Sequence, residues 1–308
     1  MKRRDFVKKS LVAGIAAGAV FSAGSYANIV SSRKSLSEKK TYDMVAIKGG
    51  EPDEMFERAI KSLGGIKNFV KPNQKVLIKP NIGWDVVPEK AANTNPKLVY
   101  KIIKMCKDAG AKDVFVFDHT CDAWKKSYEN SGIEKAVKDA GGKIVQGNTE
   151  SYYQEVEIKN GKRLKKDKVH ELVLDSDVFI NVPILKDHSS ARLTMGMKNL
   201  MGTNWDRGFW HRNDLHQCIA DYSTFCKPTL NVIDAYKVMH QNGPRGVSLS
   251  DLTLMKSMII STDIVAADTA AAKLLGLTPE DVPYIKIASE MNLGKTDLQK
   301  LSIDRIIL

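Results

Sequence analysis

Residues 75–117 read KVLIKPNIGWDVVPEKAANTNPKLVYKIIKMCKDAGAKDVFVF. Lys75-Val76-Leu77-Ile78 is a short apolar run of strand type. Asn95 is placed to cap a helix, and Pro96 suits its first position, where no backbone N–H is required. Leu98, Val99, Ile102, Ile103 and Cys106 recur at spacings of three and four and form one buried face. Gly110 stops that helix, and Asp113–Phe117 is the next strand. Alternation of strand and helix is the pattern of an α/β sheet with parallel strands.

The same alternation extends in both directions. Upstream, Met44–Lys48 predicts a strand, and Asp53 a helix cap ahead of Met55, Phe56, Ala59, Ile60 and Leu63, with Gly64-Gly65 at the end. Downstream come a helix around Ile133–Ala140 and a short strand at Lys143–Val145. Asp177–Val182, Thr229–Ile233 and Ser257–Ile260 are continuous apolar strands suited to a sheet centre. Thr262 or Asp263 caps an Ala-rich helix that ends at Gly276, Thr278-Pro279-Glu280 opens another that ends at Gly294, and Ser302–Leu308 is a last strand. One segment departs from the alternation: Val156–Lys159 and Lys162–Lys165 flank Asn160-Gly161, which predicts a β-hairpin with a two-residue turn. The fold class is therefore α/β, a mostly parallel layered sheet with helices on both faces and an inserted β-hairpin.

The N-terminus reads differently. Arg3-Arg4-Asp5-Phe6-Val7-Lys8 has the twin-arginine export pattern. The apolar run Leu11–Ala23 is 13 residues long, short of the ~20 that a membrane span needs, so it reads as the core of a signal peptide. Ser25-Tyr26-Ala27 fits a small-x-small cleavage site ahead of Asn28. The domain organisation is thus 1–27 signal peptide, 28–40 polar linker, and 41–308 a single α/β domain. Five basic side chains and one acid lie in residues 1–27, so their removal takes the formal charge from +11 to +7. The expected location is extracytoplasmic or periplasmic, with the twin-arginine export machinery as a partner and no stable membrane span after cleavage. Moderate basicity without an aromatic-interleaved patch or zinc-finger spacing gives no reason to expect nucleic acid as a partner.

In open α/β sheets ligands bind beyond the carboxyl ends of the strands. Ile78 is followed by Lys79-Pro80-Asn81, Phe117 by Asp118-His119-Thr120, Val182 by the loop Pro183–His188, and Ile233 by Asp234. The segment Arg192–Gly202 mixes apolar side chains with Thr194, Lys198, Asn199 and Gly202, and Arg207, His211, Arg212 and His216 come after it. Lysines in these segments point to an anionic small molecule, a carboxylate or a phosphate. Lys186 and His188 are the candidate catalytic pair, an electrostatic clamp and an acid/base group. Lys79, Asn81, Thr194, Lys198, Asn199 and Gly202 are the candidate ligand-binding residues. A bound metal is a second reading, with His188, His211, His216, Asp118 and Asp234 as its candidate ligands, although no spacing commits them. Neither G-x-G-x-x-G after a strand nor G-x-x-x-x-G-K-[ST] occurs, and the H-E-x-x-H and G-x-S-x-G motifs are missing too. Cys106, Cys121, Cys218 and Cys226 make no C-x-x-C pair and no iron–sulfur motif.

Ile78-Lys79-Pro80-Asn81, Asn181–His188 and Leu193–Gly202, in this order, resemble domain-of-unknown-function family 362. Further matching residues are His211 or His216, Ile233-Asp234-Ala235, Asn242-Gly243-Pro244, and Asp263 with Asp268. Asp187 stands where relatives often carry Thr. Many relatives resemble iron–sulfur proteins through an appended ferredoxin-like domain, a cluster that does not carry over to this chain. The resemblance implies a redox-associated enzyme, so oxidoreduction is the first expectation for its reaction. A non-catalytic binding protein for an anionic ligand is the alternative.

Overall fold

The computed structural model describes residues 42–308. The signal peptide of 1–27 and the linker of 28–40 lie outside the described residues. The chain builds β1 (Met44–Lys48), α1 (Pro52–Ser62), β2 (Lys75–Pro80), α2 (Pro96–Asp108), β3 (Asp113–Val116), α3 (Trp124–Asn130), α4 (Ile133–Asp139) and β4 (Lys143–Ile144). A hairpin of β5 (Tyr153–Glu157) and β6 (Lys166–His170) follows, then α5 (Glu171–Asp175), β7 (Val178–Val182), β8 (Ile184–His188), β9 (Arg192–Thr194) and α6 (Gly196–Asn199). The remainder is α7 (Arg207–Arg212), α8 (Leu215–Phe225), β10 (Leu230–Met239), β11 (Leu252–Ser261), α9 (Ile264–Leu274), α10 (Pro283–Glu290) and β12 (Ile303–Ile307).

The main sheet runs β12-β1-β11-β10-β7-β2-β3-β4, with β8 on β10 and β9 on β8. Most pairings are parallel; β11 is antiparallel to β1 and β10, and β9 to β8. Side chains alternate across this sheet as its pleat requires. Val76, Ile78, Val178, Ile180 and Val182 pack with α1, α2 and α4 on one face. Leu77, Phe179, Ile233 and Ile259 pack with α6, α8, α9 and α10 on the other. The expected mostly parallel layered sheet with helices on both faces is the one observed.

Local chemistry accounts for most element ends. Asn95 Oδ1 accepts from Lys97 N at 2.9 Å and caps α2, with Pro96 in the first turn. Asp263 Oδ1 accepts from Val265 N and Ala266 N, each at 2.9 Å, and caps α9. Helix α1 begins two residues earlier than Asp53 implies: Glu51 is its N-cap, and the Glu54 carboxylate accepts from Glu51 N at 3.1 Å. Thr278 opens only a 3-10 turn at Pro279–Asp281, and Pro283 starts α10.

Three expectations need correction. The hairpin exists, but Asn160-Gly161 is not its two-residue turn: Glu157 pairs with Lys166, and residues 158–165 form a longer loop. Ile158 and Leu164 are buried, and the Asp221 carboxylate accepts from Arg163 N at 2.6 Å and Leu164 N at 2.8 Å. Burying two apolar side chains outweighs the local turn preference. Residues 184–188 are not a loop either. Pro183 interrupts one long strand, and β8 continues beside β10 after β7 stops. Lastly, Asp234 does not follow a strand; it lies inside β10, which runs on to Met239.

Candidate functional site

The carboxyl end of β2, the loop after β3, β8, and the turn from β9 through α6 to Gly202 converge on one cavity of about 60 Å³. It is lined by Lys79, Asn81, Asp118, Lys186, His188, Thr194, Lys198, Asn199 and Gly202, together with His119, Cys121 and Arg207. All eight of the candidate catalytic and ligand-binding residues therefore meet here. Such a space holds a few waters or one compact polar group, far less than a nucleotide.

The floor is a closed polar network. Lys79 Nζ lies 2.8 Å from Asp118 Oδ1 and donates to Asn199 Oδ1 at 2.9 Å. Asn199 Nδ2 donates to Asn181 Oδ1 at 2.8 Å, and Asn181 Nδ2 to Asn231 Oδ1 at 3.0 Å. Asn181 lies on β7, Asn231 near the start of β10 and Asn199 at the end of α6, all buried, where an unpaired amide would cost ~2 kcal/mol or more; linked in a row they satisfy each other. The second Asp118 oxygen accepts from Ile82 N at 2.7 Å. Burial lowers the pKa of Lys79, and the Asp118 carboxylate beside it works in the opposite direction. Gly202 seals the floor: a Cβ there would stand 1.8 Å from Asp118 Oδ1 and 2.7 Å from Lys79 Nζ. The following turn is held by Asp268, whose two carboxylate oxygens accept from Gly196 N at 2.6 Å and Met197 N at 2.9 Å. Burial pushes that carboxyl up to about 7.

The walls are made differently. Lys186 Nζ donates to Asn81 Oδ1 at 3.1 Å and to the carbonyl of Ala92. Among the described residues, Lys198 Nζ reaches only the thioether of Met201, at 3.3 Å. Burial pushes Lys186 down to about 7 and Lys198 down to about 8, and the neighbouring cations push the same way. Thr194 Oγ1 is buried with no hydrogen-bond partner among the described residues. Arg207 is anchored through the carbonyls of His119 (2.9 Å) and Thr120 (2.7 Å), and its Nη1 lies 3.3 Å from Cys121 Sγ. Cys121 is exposed at the mouth; the other three cysteines are buried, and all four are free thiols.

His188 does not have the geometry of a base. Its Nδ1 accepts from Ser190 N and Ala191 N, each at 3.2 Å, which assigns the ring proton to Nε2. Burial, with Lys198 and Lys186 nearby, pushes the imidazole down to about 3. A neutral ring that donates from Nε2 is what remains at neutral pH. Asp187 leaves this ring alone and accepts instead from Gly243 N at 2.9 Å.

The candidate metal ligands are not brought together. Asp118 is committed to Lys79 and Ile82 N. Asp234 accepts from Asn95 N at 2.8 Å and Tyr236 N at 3.0 Å, and it lines a separate cavity beside the start of α2. His216 stacks on Tyr284, with ring centroids 6.2 Å apart. His211 acts on His188 only as a nearby titratable group. Among the described residues no three His, Cys, Asp or Glu side chains gather as a metal site. Two members of the walls escaped the sequence reading of the site. Cys121 follows His119 closely, and Arg207 lies beyond the glycine-rich segment; only the fold folds them over one another.

Comparison with known proteins places this site within a family. A thylakoid-associated protein of Synechocystis sp. is 27% identical over 245 residues, which cover 77% of this chain and 74% of that protein. The lactate racemase apoprotein from Thermoanaerobacterium thermosaccharolyticum superimposes with a TM-score of 0.49 at 11% identity, over 75% of this chain and 56% of that one. A protein from Thermotoga maritima gives a TM-score of 0.48 at 11% identity, over 74% of this chain and 60% of that one. The chain thus spans less than two thirds of the length of either solved structure. The family model described as "Domain of unknown function (DUF362)" matches residues 76–273, a segment that runs from β2 to α9 and contains every residue lining the cavity. This chain belongs to the DUF362 family.

Proposed function

We propose that this protein is an exported enzyme that acts on a small anionic molecule in the cavity between β2, β8 and α6. The observation that carries the reading is a charge imbalance. Lys79, Lys186, Lys198 and Arg207 line the cavity with Asp118 as their one carboxylate among the described residues. Lys79 neutralises Asp118, so three cations remain for a ligand. Unpaired buried charge is costly, and a bound anion removes the cost.

The residues divide the work. Arg207 and Lys186 hold an anionic group, Arg207 by a planar fork fixed from behind. His188 donates from Nε2 to a neutral oxygen of the ligand, and Thr194 Oγ1 supplies a second hydroxyl contact. Lys186, brought down to about 7 by burial, exchanges a proton with the ligand near neutral pH. The role expected of His188 as a base passes to Lys186 on this account. Export rests on the twin-arginine pattern at residues 3–8 and the site at Ser25-Tyr26-Ala27; N-terminal sequencing of the extracytoplasmic fraction should begin at Asn28.

The test is a thermal-shift screen of small carboxylates, phosphates and sulfates, followed by product analysis on each hit by NMR. Conversion of one hit, abolished in Lys186→Ala, is the expected result. Binding without conversion would make this a non-catalytic anion-binding protein, and no hit at all would remove the anion reading.

A further inference from the structure

Two buried lysines, Lys79 and Lys186, and the half-buried Lys198 come together in this one site, and they differ in what their ammonium groups meet. Lys79 has a carboxylate and an amide oxygen, at 2.8 and 2.9 Å. Lys186 has an amide oxygen and a main-chain carbonyl. Lys198 has only Met201 Sδ at 3.3 Å, and a thioether is a weak acceptor. Among the described residues no oxygen accepts a hydrogen bond from Lys198; burial is the main force against its charged form, Arg207 and Lys79 add to it, and the nearby Cys121 and Asp118 work the other way.

A lysine that is desolvated and crowded by other cations is a lysine set up as a nucleophile. We propose that Lys198 forms a reversible imine with a small 2-oxo carboxylate whose carboxylate group rests on Lys186 and Arg207. The inference builds on the anion site above and names its substrate class. The cavity of about 60 Å³ suits a molecule of this size. A 2-oxo acid also uses the site's two kinds of donor, cations for the carboxylate and neutral donors for the ketone. His188, as a neutral Nε2–H donor, and Thr194 Oγ1, buried without a partner, are the neutral ones.

The chemistry closes without a further reactant. The Lys198 nitrogen lone pair attacks the carbonyl carbon, and the C–O π bond breaks to give a carbinolamine. The amine then gives up its two hydrogens, and the former carbonyl oxygen departs with them as water. A C=N bond replaces the C=O bond. Burial brings Lys198 to about 8, so a useful fraction is neutral near pH 7.

Pyruvate with sodium cyanoborohydride tests this directly, because reduction locks an imine as a stable secondary amine. Peptide mass mapping of the treated protein should find the dominant adduct on Lys198, suppressed by excess oxalate. Lys198→Arg keeps the charge and should lose that adduct; oxalate protection in the unmutated protein serves as a second readout if the variant does not fold. Adducts spread over surface lysines, unchanged by oxalate, would overturn the proposal. So would no adduct while oxalate still raises the melting temperature, an outcome that leaves the anion site intact. No adduct and no oxalate effect would remove both.

Discussion

Lys79 and Lys198 line the same cavity and are built in opposite ways. Lys79, on β2, is enclosed by Asp118 and Asn199, and the row Asn199–Asn181–Asn231 extends the pairing into the sheet. Lys198, on α6, has the Met201 thioether as its one hydrogen-bond partner among the described residues, with Arg207 and Lys79 opposing its charge and the more distant Cys121 and Asp118 favouring it. The floor is a finished polar network, in which every group is committed to another part of the protein. The walls hold donors and positive charge that the protein itself leaves unmatched. A closed network serves the fold and an unmatched one awaits a ligand, which is why only the walls carry the proposed chemistry.

The largest effect should come from opening the floor. Asp118→Ala strands Lys79 as a buried charge without its counter-ion, and removal of one member of such a pair costs about 3–5 kcal/mol. Urea unfolding should show that loss; a change under about 1 kcal/mol would mean that Lys79 relaxes to solvent or to the neutral amine and that the floor is not closed. Gly202→Ala forces a methyl group between Asp118 and Lys79 and should cost about 1–3 kcal/mol by overpacking. The same denaturation assay reads it.

The walls should behave in the reverse manner. Lys198→Met removes an uncompensated cation, so the ligand-free protein should hold its stability within about 1 kcal/mol or gain, since apolar replacement of buried charge is often neutral or stabilising. A loss like that of Asp118→Ala would erase the distinction between floor and walls.

A further effect is a slope with pH. Lys186 and Lys198 titrate in the folded protein at about 7 and about 8, below the ordinary lysine value of 10.5. The unfolded chain therefore binds more protons between about pH 7 and pH 10.5, and stability rises with pH across that window. Lys186→Met should flatten the rise measured by urea unfolding from pH 7 to pH 10. An equal slope in the variant would assign the effect to other groups.

Much of the floor was legible in the sequence because local rules produce it. Asn95 and Pro96 start a helix wherever they stand before an apolar period, and a polar residue just past an apolar strand lies at the sheet's carboxyl edge. Lys79, Asn81 and Asp118 follow from that rule alone. Lys186 and His188 were found by it although they lie on a strand, since Pro183 breaks one extended segment into two. Asp234 misled for the corresponding reason: pairing with β8 and β11 carries β10 past it, so it lies within the sheet and helps start α2. The hairpin register escaped because Ile158 and Leu164 are drawn into a core formed by distant segments. Arg207 and Cys121 meet across 86 positions of chain, and no local pattern brings them together.

The central claim is that the walls hold surplus positive charge for a small anion. Calorimetric titration of the protein with oxalate at pH 6 and pH 9, repeated on Lys198→Met, tests it most directly. One saturable site is expected, weaker at pH 9 because Lys186 and Lys198 are by then largely neutral, and weakened by about tenfold or more in Lys198→Met, the worth of one charged hydrogen bond. Binding that is absent at both pH values, or that is equal in the variant and indifferent to pH, would contradict it.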